Sequence, residues 1–305
     1  MKGAKMFRKI GVMGIAVVCM LCLSVPASGL RAESPAKLRE LKPDEIEKIK
    51  AALPAKGAVE APRRKMLVFW RCEGFFHGSI PVVNRAMEEM GKKTGLYDVV
   101  VTDDYSYFTP EKLKQFDAIC LNNTTGLKFD PKETPERCEA LLDFVKSGKG
   151  IVGVHAATDN FKNWPAGEEM MGGNFTGHPW GGGGTWAIKI DEPNHPLMAA
   201  FKGKGFKIND EIYRTEPPLY SRSKQLVLMS LDMSDEATKS KALEPSDADT
   251  GISWVKTVGK GRVFYCSLGH NNEIMYNAAI MQHYLAGIQF AFGDYKVDTK
   301  PKPKR

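Results

Sequence analysis

The sequence predicts an α/β protein built on a parallel sheet with helices on both faces. Three observations predict it. Between residues 66 and 155 short apolar runs alternate with amphipathic segments, the rhythm of βαβ units. The apolar runs are continuous rather than alternating, as strands covered on both faces should be. Their C-terminal ends turn abruptly polar, which gathers chemistry-bearing side chains along one edge of such a sheet.

The first 29 residues stand apart from this pattern. Lys2, Lys5, Arg8 and Lys9 precede an apolar run over 10–25, and Ala27, Ser28 and Gly29 follow it. Basic, apolar and small segments in that order describe a cleaved secretory signal. The apolar run is short for a span, so no stable membrane anchor is expected and the protein is expected to be periplasmic or secreted. A charged arm follows over 30–63, with one short helix at 44–53. The body at 64–294 then reads as strand 66–72, helix 80–91, strand 98–102, helix 110–115, strand 118–122, helix 131–146 and strand 150–155. From 160 to 249 the pattern loosens around Gly172, Gly173 and the glycines of 181–184, with strands expected at 186–190 and 226–231. Segments 252–258 and 261–268 read as a hairpin. A last helix starts near Asn272 and places Ile274, Ala278, Met281, Leu285, Ile288 and Phe292 on one stripe. His283 falls opposite that stripe and reads as a solvated surface residue. The Lys/Pro tail, 295–305, reads as disordered.

The net charge of +7 sits at the two ends: four positive charges lie in residues 1–29 and a net four in 296–305, leaving −1 for the rest. A near-neutral body has no electrostatic footprint for nucleic acid. Nor is a nucleotide expected, because 181–184 lacks the Lys-Ser/Thr of a P-loop and no G-x-G-x-x-G follows the first strand. Cys72, Cys120 and Cys266 lie in apolar strand-like runs and Cys138 on an apolar helix face, so buried, unreactive thiols are expected rather than disulfides.

The strand ends carry the candidate site. The first ends in Arg71, Glu73 and His77, ahead of a helix that Ser79 is placed to cap. The third ends in Asn122 and Asn123, the fourth in His155 and Asp159, and the last brings out His270 and Glu273. His178, His195 and the run Asp210, Glu211, Tyr213 and Arg214 lie between. Of the six histidines, only His283 stands outside such loops. Several neutral imidazoles with a carboxylate suit zinc or a similar divalent ion, although no HExxH spacing is present. A loop histidine taken alone reads as a backbone hydrogen-bonder, but His77 and His155 on neighbouring strand ends favour function. Around His155, Gly153, Ala156 and Ala157 supply the small residues of a tight strand-to-helix elbow. With no Ser or Cys at its tip, His155 is left as an acid–base group, a metal ligand or a structural hydrogen-bonder. Trp164, Trp180 and Trp186 flank the glycine-rich stretch and either stack on a sugar or cap the core.

The runs GFFHGSIP, LNNTTG, VGVHAATD, GGNFTGHP, NHP, DEIYR and GRVFYCSLGH, with the closing helix, resemble the ThuA-like (trehalose utilisation) family over 64–294. The resemblance implies a class I glutamine-amidotransferase-like fold, a flavodoxin-like three-layer α/β/α sandwich with a mostly parallel central sheet and strand order 2-1-3-4. Amidotransferase relatives carry a catalytic cysteine at the elbow; His155 stands there in this chain, so glutaminase activity is not implied. Carbohydrate catabolism is implied, on trehalose-like disaccharides or 3-keto-glycosides, with motif positions His77, Asn123, His155, Asp159, His178, Glu211, Tyr213 and His270.

These readings combine into an exported enzyme acting on a small sugar or glycoside as a lyase, hydrolase or isomerase. His155, His77, Asp159, Glu211 and Tyr213 are its expected catalytic groups, and His77, His155, His178 and His270 its expected ligands to a divalent metal. Asn122, Asn123, Trp164, Trp180 and Arg214 are expected to hold the sugar. The alternative is a non-catalytic sugar-binding protein using the same cleft, with an interaction module third.

Overall fold

Helix α1 (Pro43–Ala52) opens with a proline and with Asp44 and Glu45 in its first turn, and closes on Lys50, an order that suits the helix dipole. It packs on α2 (Ile80–Thr94), burying Ile49 and Ala52, so this part of the arm belongs to the body. The computed structural model describes Met1 and residues 37–303; the expected signal segment lies outside the described residues.

The parallel half of the molecule follows the predicted alternation. Strands β1 (Arg64–Phe69), β2 (Tyr97–Thr102), β3 (Ala118–Asn122) and β4 (Gly150–Val154) are joined by α2, α3 (Pro110–Leu113) and α4 (Pro135–Lys146). After α5 (Pro165–Met171) come β5 (Phe175–Trp180), β6 (Thr185–Ile190), β7 (Phe206–Asn209), β8 (Ile212–Thr215) and β9 (Leu226–Leu231). Helix α6 (Glu236–Lys239), the hairpin β10 (Gly251–Val258) and β11 (Gly261–Cys266), and α7 (Ala278–Phe292) complete the chain.

Among the described residues nine strands form one sheet in the order β2-β1-β3-β4-β11-β10-β9-β6-β7, while β5 and β8 form a separate two-stranded ribbon. The expected order 2-1-3-4 is present. β2, β1, β3, β4 and β11 run parallel, and the remaining sheet strands pair antiparallel. The continuous apolar strands divide by alternation: Met66 and Val68 join one core with Val83, Met87, Leu285 and Ile288, whereas Leu67 and Phe69 join the other with Leu141, Val145 and Met170. Both faces of the sheet are thus covered by helices. Helix α7 sits so close on β4 that a Cβ at Gly150 would meet the Ala291 carbonyl, so only glycine fits there.

Three expectations are corrected. His283 is fully buried, its Nδ1 2.9 Å from the Leu197 carbonyl and its Nε2 3.0 Å from Ser253 Oγ. A one-stripe reading failed because α7 is buried around nearly its whole girth; from Ile280 to its end only Gln282 is not buried. The tail is packed as far as it is described: Tyr295 and Val297 rest on the core, and His195 Nε2–H donates to the Asp298 carbonyl at 2.9 Å. Ser79 occupies the N-cap position of α2, but its hydroxyl donates instead to the Gly269 carbonyl at 2.7 Å. No helix among the described residues is long and apolar enough to cross a membrane. The four cysteines of the described residues are buried thiols outside any disulfide, and burial pushes the Cys72 thiol up to about 11 and Cys266 to about 12.

Burial holds the His283 imidazole at about 4 instead of its ordinary 6.5. The folded state therefore stays neutral while the unfolded chain takes up a proton below 6.5. This contribution to stability is present above 6.5 and is lost as pH falls toward 4. Between pH 7 and 4.5 wild type should lose roughly 2 kcal/mol that His283→Asn does not lose, by the linkage relation. Urea denaturation of both proteins at the two pH values checks this; parallel losses would mean that a solvated histidine occupies the position.

Candidate functional site

The register of the parallel strands builds the site's floor. Asn122 on β3 pairs with Val154 on β4, and Val154 pairs with Cys266 on β11, so three strand ends emerge level. At the next residue of two of them the backbone enters the left-handed region: Asn123 has φ 49° and His155 φ 45°. For non-glycine residues each such conformation costs on the order of 1 kcal/mol. Hydrogen bonds hold both tips in place. Asn123 N–H donates to the Val154 carbonyl at 3.3 Å, and the Tyr265 hydroxyl donates to the His155 carbonyl at 2.7 Å. The elbow expected at His155 is therefore present, continuing into a 3₁₀ turn at His155–Thr158.

Four side chains converge above this floor. His77 comes from the loop after β1, His155 from β4, His270 from the loop after β11, and Glu211 from just before β8. One donor atom from each lies within 4.8 Å of all the others. His155 Nε2, His270 Nδ1 and Glu211 Oε2 form a triangle with sides of 3.3, 3.2 and 3.5 Å. These sides are long for optimal hydrogen bonds. They match the ~3.4 Å ligand–ligand edge of a tetrahedron whose metal–ligand bonds are ~2.1 Å. His155 Nδ1 lies 2.8 Å from the Ser267 carbonyl and must donate to it, which leaves the Nε2 lone pair facing the cluster. His77 Nε2 lies 3.3 Å from the Tyr213 hydroxyl, and its buried Nδ1 has no hydrogen-bond partner.

The electrostatics set an ionised carboxylate beside one imidazole held neutral, His77, and one whose protonation the carboxylate favours, His270. Burial, reinforced by the neighbouring His155 and His270, holds His77 well below its ordinary value. Burial alone would raise Glu211, but the neighbouring His155 and His270 rings outweigh it and hold the carboxyl far below its usual range. His270 rises because its hydrogen bond to Glu211 outweighs its own burial. Metal ligation needs a neutral His77 and an ionised Glu211, as these shifts favour, and would displace the proton that Glu211 favours on His270; the donor set fits a divalent ion.

The remaining expected residues divide into rim and scaffold. His178, on β5, reaches Glu211 Oε1 at 3.3 Å but its side chain is 57% exposed, and it stands outside the four-residue set. The Tyr213 ring lies against the His155 ring at a tilt of 47°, with centroids 4.4 Å apart. Asp159 is paired with Lys162 at 2.9 Å, and burial raises its carboxyl. Asn123 keeps a buried Oδ1 without a partner. Asn122 is spent internally, donating to the Ile80 carbonyl and Asn84 and accepting from Asn123. Arg214 forms a two-pronged pair with buried Asp247 at 2.6 and 2.8 Å, so its guanidinium is already engaged. Trp164 is buried against Phe129 and Phe161, and Trp180 is fully buried with its indole N–H on the Thr238 carbonyl. Neither presents an exposed face to a sugar; both cap the core.

Sequence reasoning missed two contributors. Asp210 is fully buried, and its carboxylate oxygens accept the N–H groups of Gly269 and Asn271 at 2.7 Å each, clamping the loop that carries His270. Burial raises this carboxyl to about 6. The run of Asp210 and Glu211 was visible, but not which of the two faced inward. Ser267 acts through its backbone carbonyl, which leaves no signal in residue type.

The chain matches the family model described as ThuA, trehalose utilisation, over residues 65–291. Among solved structures it is similar to a ThuA-like protein from Bacteroides uniformis, with 22% identity, a TM-score of 0.61, and coverage of 76% of this chain and 93% of that one. It is likewise similar to a ThuA-like protein from Parabacteroides merdae, with 18% identity, a TM-score of 0.56, and coverage of 80% and 93%. At these identities the structural likeness speaks for the fold alone. No curated protein matches the chain. The family match takes in all four clustered residues and the parallel strands that carry three of them, and on that match the chain belongs to the ThuA, or trehalose utilisation, family.

Proposed function

We propose that His77, His155, His270 and Glu211 hold a divalent metal ion, zinc or similar, and that the site acts on a small sugar or glycoside. The observation that carries the metal reading is the 3.2–3.5 Å triangle of His155, His270 and Glu211, with His155 fixed in the ligating tautomer by Ser267. Membership of the trehalose utilisation family supports a carbohydrate substrate. The order of basic, apolar and small segments in residues 1–29 supports an exported protein.

When bound, the ion supplies Lewis acidity toward a substrate oxygen, such as the carbonyl of a 3-keto-glycoside. The protein's own groups do the rest. His178 sits at the solvent-facing side of Glu211 and is the group placed to carry a proton between the site and water. The Tyr213 hydroxyl beside His77 orients a substrate hydroxyl or donates to a developing oxyanion. Asp159 at the rim, made more basic by burial, supplies a second carboxylate.

A second reading has one observation in its favour. Four protein donors close a tetrahedral shell, the pattern of structural rather than catalytic zinc, whereas a five- or six-coordinate ion keeps positions open. A tetrahedral zinc here would favour a sugar-binding protein without turnover.

Metal analysis after dialysis tests the first reading. Wild type should retain about one ion per chain, while Glu211→Gln and His155→Ala should retain far less; metal-free wild type, even after incubation with zinc, manganese or nickel, would refute it. A screen of disaccharides and 3-keto-disaccharides tests the second step. Turnover in wild type should fall by roughly 10²–10⁴ in His178→Ala with metal content intact, the range for loss of a general acid–base group. Tight sugar binding with no turnover in any metal form would establish the binding protein instead.

A further inference from the structure

Phe75 stands out on the surface beside the cluster. Among the described residues only Met1, Phe75 and Leu243 are large hydrophobic side chains left exposed, and Phe75 is 61% exposed. Its exposure does not come from a loose loop. Glu73 and Gly74 N–H both donate to the Thr125 carbonyl, at 2.8 and 3.3 Å, and the Phe75 carbonyl accepts from Thr125 Oγ1 at 2.8 Å. The next residue, Phe76, turns inward against the cluster of Trp70, Cys72 and Ile80. The backbone is thus pinned with one phenyl in and one out. The outward ring lies edge-on to His77, with centroids 4.8 Å apart.

A second phenyl lies on the ribbon that carries the other part of the site. Phe175 is half-buried, 4.2 Å from the Tyr213 ring and nearly parallel to the His178 ring at 5.9 Å. The two phenyl groups come from different segments, yet each abuts a member of one interacting group: His77 and Tyr213 touch each other and His155. Polar capacity is left over in the same region. Asn123 Oδ1, beside the elbow, is a buried acceptor without a hydrogen-bond partner. A purely apolar ligand would leave it unsatisfied, at about 1–3 kcal/mol. A pyranose ring combines apolar C–H faces with hydroxyl donors, which is the combination these groups require.

We propose that Phe75 and Phe175 form the apolar walls of a pyranose-binding subsite, seating the C–H face of a sugar ring so that its hydroxyls meet Asn123 and the histidine cluster. This rests on the carbohydrate reading above and names the residues that would confer it. It also moves the aromatic contribution away from Trp164 and Trp180, which are buried.

The test is calorimetric titration of wild type, Phe75→Ala, Phe75→Tyr and Phe175→Ala with trehalose, sucrose and their 3-keto forms, with metal content and oligomeric state measured on each protein. For the sugar that wild type binds best, Phe75→Ala and Phe175→Ala should each weaken affinity about tenfold, the scale of one aromatic contact. Phe75→Tyr should restore it to within about threefold, because the ring face is kept. Metal content should not change. Because Phe75 is exposed, its variants test binding without disturbing a core. Wild-type affinity in both alanine variants would overturn the subsite while leaving the carbohydrate reading intact. A change of oligomeric state with unchanged sugar affinity in Phe75→Ala would mark it as a subunit contact and likewise overturn it. If wild type binds none of these sugars, the carbohydrate reading itself fails and the subsite with it.

Discussion

The level register of β3, β4 and β11 is the constraint on which the rest of the site depends. Because Asn122, Val154 and Cys266 stand abreast, the chain leaves the sheet at one height in three adjacent places. From that edge Asn123, His155 and, a few residues on, His270 are delivered to one spot. A one-residue slip in any of these pairings would invert the faces of that strand and carry its tip residue away. Apolar residues on both faces would not by themselves penalise such a slip; close packing does, since β4 has Gly150 where any Cβ would run into the Ala291 carbonyl of α7. Packing far from the chemistry therefore sets the chemistry's geometry. The left-handed backbone at Asn123 and His155 is affordable only in such a frame.

The buried charges are arranged so that one anion serves several imidazoles. Glu211 loses hydration on burial, and its contacts with His155, His270 and His178 offset that loss. Burial first, and then the neighbouring His155 and His270, drive the His77 value down, so it stays neutral beside the anion. Asp210, one residue earlier, meets the same burial differently. It receives two backbone N–H groups rather than imidazoles and so fixes the His270 loop instead of joining the cluster. Adjacent carboxylates thus take separate roles according to the donors each one faces.

How much of this could be read from sequence follows from how local each signal is. The parallel half was legible because continuous apolar runs and amphipathic helices repeat there; the strand expected at 118–122 coincides with β3, and the one at 226–231 with β9. His77, His155 and His270 were legible because polar strand ends of a parallel sheet share one edge, whereas Glu211, just before β8 and away from that edge, was legible only as a motif position of the family the chain resembles. The ribbon of β5 and β8 was not, since β5 carries Gly177 and Pro179 and its pairing with β8 is irregular, so no period-2 pattern survives. His283, Trp164 and Trp180 were misplaced for a common reason: burial depends on what packs from the far side, and periodicity reports only one element at a time. Phe75 escaped notice because GFFHG shows two equal phenylalanines, and only the tertiary frame turns one of them outward.

The division of the site between two sheets has a thermodynamic consequence. His77, His155 and His270 ride on the nine-stranded sheet, whereas Glu211, Tyr213 and His178 belong to β8, β5 and the residue before β8. The ribbon has its own anchors, the buried Arg214–Asp247 pair and the Trp180 indole on Thr238. Glu211 and Tyr213 meet the imidazoles across the gap between the two sheets. Any ligand that engages donors from both closes that gap, and its binding energy adds to the docking of ribbon on sheet by RT ln(1 + [L]/Kd). A ligand held by the imidazoles alone would contribute nothing to docking. Stabilisation of the ribbon, measured locally by hydrogen exchange at β5 and β8, is therefore a direct measure of whether Glu211 takes part in binding.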